Sequence, residues 1–454
     1  MNERTLDSLC AINPETLGPN TSADFEFRYL DISAVTRGRI DWSATRRWRF
    51  CDAPSRARRR LRCGDVLLCT VRPNLRAHAR IDREDVVPLV GSTGFAALRP
   101  SLPTDSGFVF HQLFSDSVSG QLRALETGSN YPAVNESDIR RVRIFAPEPG
   151  ERARIGAVLD TVDEAIAKTE AVIAKLKQVR AGLRHDLLTR GLDEHGQLRD
   201  PIAHPEQFKG SELGLIPERW EVRACQSLCR EIVVGIVVKP AQYYVAEGVP
   251  VLRSANIRET GIHLNDLVFI APESNTLLSK SMLHTDDLVT VRTGYPGTTS
   301  VVPPTLNGAN CVDLIISRPS KEIVPQYLAL WVNSPLGKDQ VLRVQGGLAQ
   351  QHFNVGEMKA LLVARPELEE QEAIITRIGE IDALVRSETQ GRSKLGLLKS
   401  GLMADLLTGR VRVPEGVGDW EGVRGESTGM AATDQSDRSD PTDRSDRTAA
   451  SLPE

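Results

Sequence analysis

Between Glu151 and Gly191 the apolar residues Ile155, Leu159, Val162, Ile166, Ile173, Leu176, Leu183 and Leu187 fall on steps of three, four and seven, the spacing that lines one stripe of an α-helix. Thr169 and Arg180 interrupt that stripe. A second stretch, Glu370 to Gly409, keeps the phase with Ile374, Ile378, Ile381, Val385, Leu395, Leu402 and Leu406, broken by the polar Glu388, Arg392 and Lys399. Each stretch predicts a helix of roughly 60 Å at 1.5 Å per residue. A stripe that long cannot be buried by its own helix, so the two are expected to pack on each other as a helix and subunit interface. In that pairing Glu388 and Lys399 are expected to face Thr169 and Arg180.

The two stretches are copies. One gapless offset of 219 residues superposes Asp186-Leu187-Leu188-Thr189 on Asp405-Leu406-Leu407-Thr408, and it also matches Asp163 with Asp382, Pro147-Glu148 with Pro366-Glu367, Asn135 with Asn354 and Arg99-Pro100-Ser101 with Arg318-Pro319-Ser320. The repeat is a whole half-chain, a globular segment followed by a long helix, and its period is far above that of solenoid units. Short strand patterns at 27–32, 65–71 and 94–98, and again at 249–257, 287–293 and 312–317, are separated by Gly, Pro and Asn. Helices are expected at 108–125 and 325–332. The predicted fold class is α+β: two mixed α/β domains separated by two long helices that form an antiparallel coiled coil, with a pseudo-twofold internal repeat. The expected boundaries are a first domain at 1–150, a first spacer helix at 151–191, a connector without sustained period at 192–219, a second domain at 220–365, a second spacer helix at 366–410 and an acidic tail at 411–454. Few apolar residues and Ser-Asp-Arg-like units predict that the tail is disordered.

Composition narrows the classes. The 454 residues allow two or three domains with ordinary cores. No uncharged apolar run approaches the ~18 residues of a membrane span, and the start, MNERTLDSLCAINPE, lacks the basic and apolar blocks of a signal peptide. Seven cysteines without framework spacing read as reduced thiols of a cytoplasmic protein. Cys225 and Cys229 have no second pair or flanking histidine, so no metal site is expected. The net charge of −4 is misleading, because residues 411–454 carry ten acidic groups against five arginines and leave the body near +1. Nucleic-acid affinity must then come from local patches. The first 150 residues hold twenty-one arginines and no lysine, clustered as Arg46, Arg47 and Arg49 around Trp48, as a run from Arg56 to Arg62, and as Arg72, Arg76 and Arg80.

Catalytic chemistry is missing from the sequence. It contains no phosphate loop, no HExxH, no nucleophile elbow and no acidic pair beside a strand lysine. The loop Thr293–Thr299 has its glycines but no lysine, and His111, His185 and His352 stand isolated. What the loops do offer are groups suited to bases: arginine forks for guanine and phosphate, amides for adenine, and aromatic rings. The candidates in the first half are Arg46, Arg47, Arg72, Asn74, Arg76, Ser129, Asn130 and Tyr131. In the second they are Arg253, Asn256, Arg292, Tyr295, Gln350, Gln351 and His352. The 219 offset places Tyr131 on Gln350, so both halves present polar side chains at one corresponding loop. That favours a binding face over a merely solvated charged surface.

The sequence resembles the specificity subunit of type I restriction-modification systems over residues 1 to about 413. The resemblance is carried by the first helix ending LRHDLLTRGLDEHGQLRDP, the segment FKGSELGLIPERWEV, the second helix ending GLMADLLTGRVRV, and the motifs GDVLLCTVRPNLR, STGFAALRP and DDLVTVRTGYPGTTSVVP. It implies that each globular domain reads one half of a split DNA target. It implies also that the helices set the spacing and dock methyltransferase subunits, and that a restriction/translocase subunit joins through that core. S-adenosylmethionine, ATP and Mg2+ would then serve the other subunits, leaving this chain non-catalytic, without a cofactor of its own and without a membrane partner. The sequence departs from the family pattern in lacking the usual leading segment and in its acidic tail. The alternative reading is a coiled-coil scaffold or a non-specific DNA-binding protein. A fused methyltransferase-nuclease would need an Asn/Asp-Pro-Pro-Tyr/Phe motif, which the sequence does not contain.

Overall fold

The computed structural model describes residues 3–128, 132–343 and 352–416. The described residues of Met1–Glu164 and Leu397–Glu454 form one compact unit, and those of Ala165–Gly396 form a second. Each unit therefore contains one globular domain and a stretch of both long helices. The helices run Pro149–Thr189 and Leu368–Leu406. Proline opens the first, where a missing N–H costs nothing, and left-handed glycines, Gly191 at φ 63° and Gly409 at φ 75°, lie just past the two ends. The acidic tail from 417 onward lies outside the described residues.

In the first unit two four-stranded sheets carry the domain. One has the spatial order Arg46–Arg49, Glu26–Leu30, Leu89–Ser92, Ala57–Leu61, and the other Cys10–Ile12, Phe95–Pro100, Val66–Cys69, Ala79–Arg80. Val66–Cys69 is buried at every residue because the second sheet has a core on each face. Val66 and Leu68 join the core with Phe108 and Ile155, whereas Leu67 and Cys69 join the core with Leu30 and Leu61. The helix expected at 108–125 is two helices, Ser106–Gln112 and Asp116–Ala124. The break falls at Ser115, whose hydroxyl accepts the Val118 N–H at 3.2 Å and so starts a new helix.

The second unit repeats this design. Its sheets order as Cys229–Val234, Leu314–Pro319, Leu288–Val291, Thr299–Val301 and as Tyr244–Val245, Val268–Ile270, Val249–Leu252, Asn310–Cys311. The helix Pro325–Val332 stands where the sequence places it. The strand expected at 249–257 stops at Leu252, since Ser254–Asn256 turns into a single 3-10 turn. The connector is more ordered than its lack of periodicity suggests, with a hairpin of Phe208–Ser211 and Gly214–Pro217.

Helix ends complete both cores. Ile155 and Leu159 from the first helix share a core with Leu406 and Leu407 from the end of the second. In the other unit Ile374 and Ile378 share a core with Leu187 and Leu188. The 219 offset turns one set into the other. Between these ends the stripe residues, among them Ile173, Leu176, Ile381, Val385 and Leu395, are only half-buried, as expected where two helices have no third neighbour. Ion pairs fix direction and register there. In the second unit Arg180 donates to Asp382 at 2.5 and 3.0 Å and Arg392 donates to Glu170 at 3.1 and 3.0 Å, so a step of ten along one helix is a step of ten back along the other. The first unit holds the repeat equivalent, Lys399 donating to Asp163 at 2.7 Å. The pairing expected from sequence is thus corrected: Arg180 and Lys399 face aspartates, and the Thr169 hydroxyl donates to the Ala165 carbonyl at 2.9 Å.

Equivalent glutamates lock the helix starts. Glu370 accepts from the Leu192 N–H at 2.7 Å, from Arg199 at 2.6 Å and from the Trp220 indole at 3.0 Å. Gly191 must be glycine there, because a Cβ would lie 2.3 Å from the Glu370 carboxylate. Glu151 accepts from the Val413 N–H at 3.1 Å and from Arg412, whose hydrogen bonds hold its pKa below the usual carboxylate range. Replacing Glu370 by Ala strands a buried indole N–H and a nearly buried guanidinium, which should cost on the order of 3 kcal/mol. Urea unfolding should show it, with Glu370→Gln closer to the parent. An unshifted midpoint for Glu370→Ala would contradict the clamp.

Candidate nucleic-acid interface

The buried strand Val66–Cys69 leads into the first candidate loop. Arg72 donates its N–H to the Pro132 carbonyl at 2.7 Å and Val134 donates to Thr70 at 2.9 Å, so the 70–76 loop is stitched to residues 132–134, which follow the candidates Ser129, Asn130 and Tyr131 in sequence. Those three residues lie outside the described ones. Arg72 (φ 49°) and Arg76 (φ 52°) both adopt the left-handed region on either side of the turn Pro73–Leu75, a conformation that costs non-glycine residues energy and gathers at functional loops. Arg72 and Asn74 are exposed, while Arg76 is half-buried and reaches the Phe114 carbonyl at 3.4 Å and the exposed Asp116 at 3.6 Å. Beneath them His78 accepts the Cys69 N–H on Nδ1 at 3.1 Å. Burial pushes its pKa down to about 4, so this imidazole stays neutral and braces the loop. His78 was not singled out from sequence, where nothing distinguishes it from other isolated histidines.

Arg46 and Arg47 sit on a different sheet, on its edge strand, exposed and with no side-chain hydrogen bond or ion pair among the described residues. Arg49 beside them is held by Asp52 at 2.8 Å. Edge arginines that keep their forks free suit phosphates, whereas a strap of fixed turns suits base edges.

The second unit builds the same loop pair. After the buried strand Leu288–Val291, the Arg292 carbonyl accepts the Phe353 N–H at 2.9 Å, and the Thr293 hydroxyl meets His352 Nδ1 at 3.0 Å. Asp313 orients the Arg292 guanidinium. Tyr295 is 83% exposed. Arg292 and His352 are therefore brought together, with Tyr295 further along the same loop; Gln350 and Gln351 lie outside the described residues. Arg253 follows Leu252, whose carbonyl accepts from Val312, and its Nη2 donates to the Asp266 carbonyl. Asn256 requires a correction. It is 1% exposed, donates to the His263 and Asn265 carbonyls at 3.0 and 2.9 Å and accepts the Arg253 N–H at 2.9 Å. Both amide hydrogens and the carbonyl oxygen are engaged inside the loop, so it is a brace and not a reader.

Other polar residues that looked suggestive are internal. The matched Arg99 and Arg318 tie strands to carboxylates, Arg99 to Asp65 at 2.8 Å and Arg318 to Glu231. His111 is fully buried against Asp160 at 2.9 Å. Among the described residues no group of three or more His, Cys, Asp or Glu could hold a metal ion, and no helix is long and apolar enough to cross a membrane.

No family model matches the chain. Curated relatives do. A putative type I restriction enzyme MjaX specificity subunit from Methanocaldococcus jannaschii is 27% identical over 289 residues, 63% of this chain and 63% of that protein. The EcoKI specificity subunit of Escherichia coli is 22% identical over 349 residues, 74% of this chain and 72% of its own length. The chain is thus similar to type I restriction enzyme specificity subunits over most of its length. The match to the first of these relatives spans just under two thirds of that protein. Solved structures agree on the specificity-subunit fold. One from work on complex assembly and conformational transition of the type I R-M system has a TM-score of 0.57 at 22% identity, covering 90% of this chain and 98% of that one. The type I S subunit from M. genitalium has a TM-score of 0.53 at 15% identity, covering 89% and 95%.

The reassignment of Asn256 can be checked directly. Asn256→Ala leaves two carbonyls and one backbone N–H unsatisfied, and should destabilise the protein by about 1–3 kcal/mol. A surface reader replaced by alanine would leave the unfolding curve where it was.

Proposed function

We propose that this specificity subunit reads a two-part double-stranded DNA target, one part with the domain at 1–150 and the other with the domain at 220–365, while the long helices set the distance between them and dock methyltransferase subunits. One observation carries the reading. The Arg72 loop beside residues 132–134 and the Arg292 loop beside residues 352–353 occupy equivalent places in the two halves, each fed by a strand buried on both faces. Equal frames with different side chains suit two different half-sites. Base specificity needs such rigid placement, because a bidentate arginine discriminates guanine only when its fork is held in plane.

Two further features support the partners. In the second unit Val172, Val179 and Leu384 on the long helices are about half exposed, apolar side chains available to another subunit. Methyl transfer from S-adenosylmethionine and any ATP- and Mg2+-dependent cleavage then belong to those other subunits, with a restriction subunit joining the same core in the cytoplasm. This chain contributes recognition and no catalysis.

The test uses the chain assembled with methyltransferase subunits on its own duplex, found by mapping modified sites. Arg292→Ala should cost about 1–3 kcal/mol and relax one base position in a single half-site. Arg46→Ala with Arg47→Ala should weaken all sequences alike and flatten the plot of log affinity against log salt by about 0.9 for each phosphate no longer neutralised. Unchanged affinity in both variants would remove these loops from the interface. Binding indifferent to sequence would favour the non-specific alternative.

A further inference from the structure

In the segment CREIVVGIVVKP the strand ends at Val234 although the apolar residues continue past Gly235. The next residues form a loop that presents apolar side chains outward: Ile236 is buried at 6% exposure, whereas Val237 is 51% and Val238 70% exposed. The loop is held at both ends. Gly235 donates to Leu314 at 2.8 Å, Ile236 donates to Cys311 at 2.8 Å, and Asp313 donates back to Ile236 at 3.1 Å. A Cβ on Gly235 would lie 2.5 Å from the Cys311 carbonyl, so the backbones touch there. Lys239, at φ 44°, and Pro240 close the loop on its far side. Two β-branched side chains on so constrained a backbone have few alternative positions in which to hide from water.

The loop is continuous with the proposed interface. Asp313, whose N–H is bonded to Ile236, is the carboxylate that orients Arg292, and Arg292 is joined through Phe353 to the segment carrying His352. The valine pair therefore lies one residue from a short chain of contacts that ends at the arginine fork. The first half has no counterpart. The 219 offset puts Gly18 and Pro19 at these positions, and Asn13, which follows its strand, is turned inward to Ala97 and Glu136.

We propose that Val237 and Val238 are specificity-determining residues of the second domain, reading the C5-methyl of thymine in the major groove beside the base contacted by Arg292. This rests on the function proposed above. The thymine methyl is the apolar group that an unmodified base pair shows in that groove. An exposed valine pair that precedes Lys239 and is linked through Ile236 and Asp313 to Arg292 has side chains that offer no hydrogen bond, which suits a methyl and no other part of the edge.

The experiment uses the full chain assembled with its methyltransferase subunits and its mapped duplex. Each thymine of the second half-site, on either strand, is replaced in turn by deoxyuridine, which removes the methyl and leaves pairing intact. The parent complex should bind about fourfold more weakly for each methyl that the valines touch. The Val237→Ala, Val238→Ala double variant should bind thymine and deoxyuridine duplexes equally at those positions. Its responses in the first half-site and its unfolding temperature should match the parent, since both side chains are exposed. The proposal is overturned if no position of the second half-site responds to deoxyuridine, or if the double variant keeps the response. A parent complex that does not distinguish its duplex from scrambled DNA would instead overturn the function on which the proposal rests.

Discussion

An apolar stripe along a helix of about 40 residues has to be covered by something other than that helix, and the rest of the molecule depends on how this is done. In each unit the start of one long helix and the end of the other enter the same core, Ile155 with Leu406 and Ile374 with Leu187. Neither globular domain owns all of its core, because residues from far along the sequence complete it. The equivalent glutamates Glu151 and Glu370 then fix where each helix start meets the chain leaving the other helix. Between the ends, the pairs Arg180–Asp382 and Lys399–Asp163 set register with charge where burial is too shallow to set it by packing alone.

On this repeated frame the two halves solve local problems differently. Beside Glu151 a buried Arg152–Asp105 pair, bonded at 3.0 and 2.7 Å, fills the space that Gln371 fills beside Glu370 by accepting the Val324 N–H at 2.8 Å. Both satisfy every group they bury, the one with two charges and the other with none. The loops diverge further: left-handed arginines in the first half, an aspartate-oriented arginine and an exposed valine pair in the second. Sheets buried on both faces can hold such loops without sharing their chemistry, so recognition is free to vary while the frame is not.

The long helices were legible because a period sustained over forty residues has no other explanation, and the helix Pro325–Val332 because its apolar run follows a proline. The split at Ser115 was not, since a serine in mid-helix and a serine that starts a new helix look alike until the backbone turns. Asn256 shows the limit for the site. An asparagine that reads adenine and one that ties a loop have the same composition and spacing, and only burial separates them. Val237 and Val238 were not singled out from sequence, because an apolar run looks like core and the close contact at Gly235, where the strand ends, depends on Cys311, far away in sequence.

The central claim is that the end of either long helix completes either core. A fragment of residues 1–200, which includes Arg199, tests it by sedimentation equilibrium. In a twofold dimer Asp163 of one copy meets Arg180 of the other, Leu187 and Leu188 stand in for Leu406 and Leu407, and Leu192 with Arg199 can clamp Glu151 as they clamp Glu370. The account predicts a dimer that Asp163→Arg shifts toward monomer and that adding Arg180→Asp restores. A monomeric fragment, or a dimer indifferent to Asp163→Arg, would contradict it.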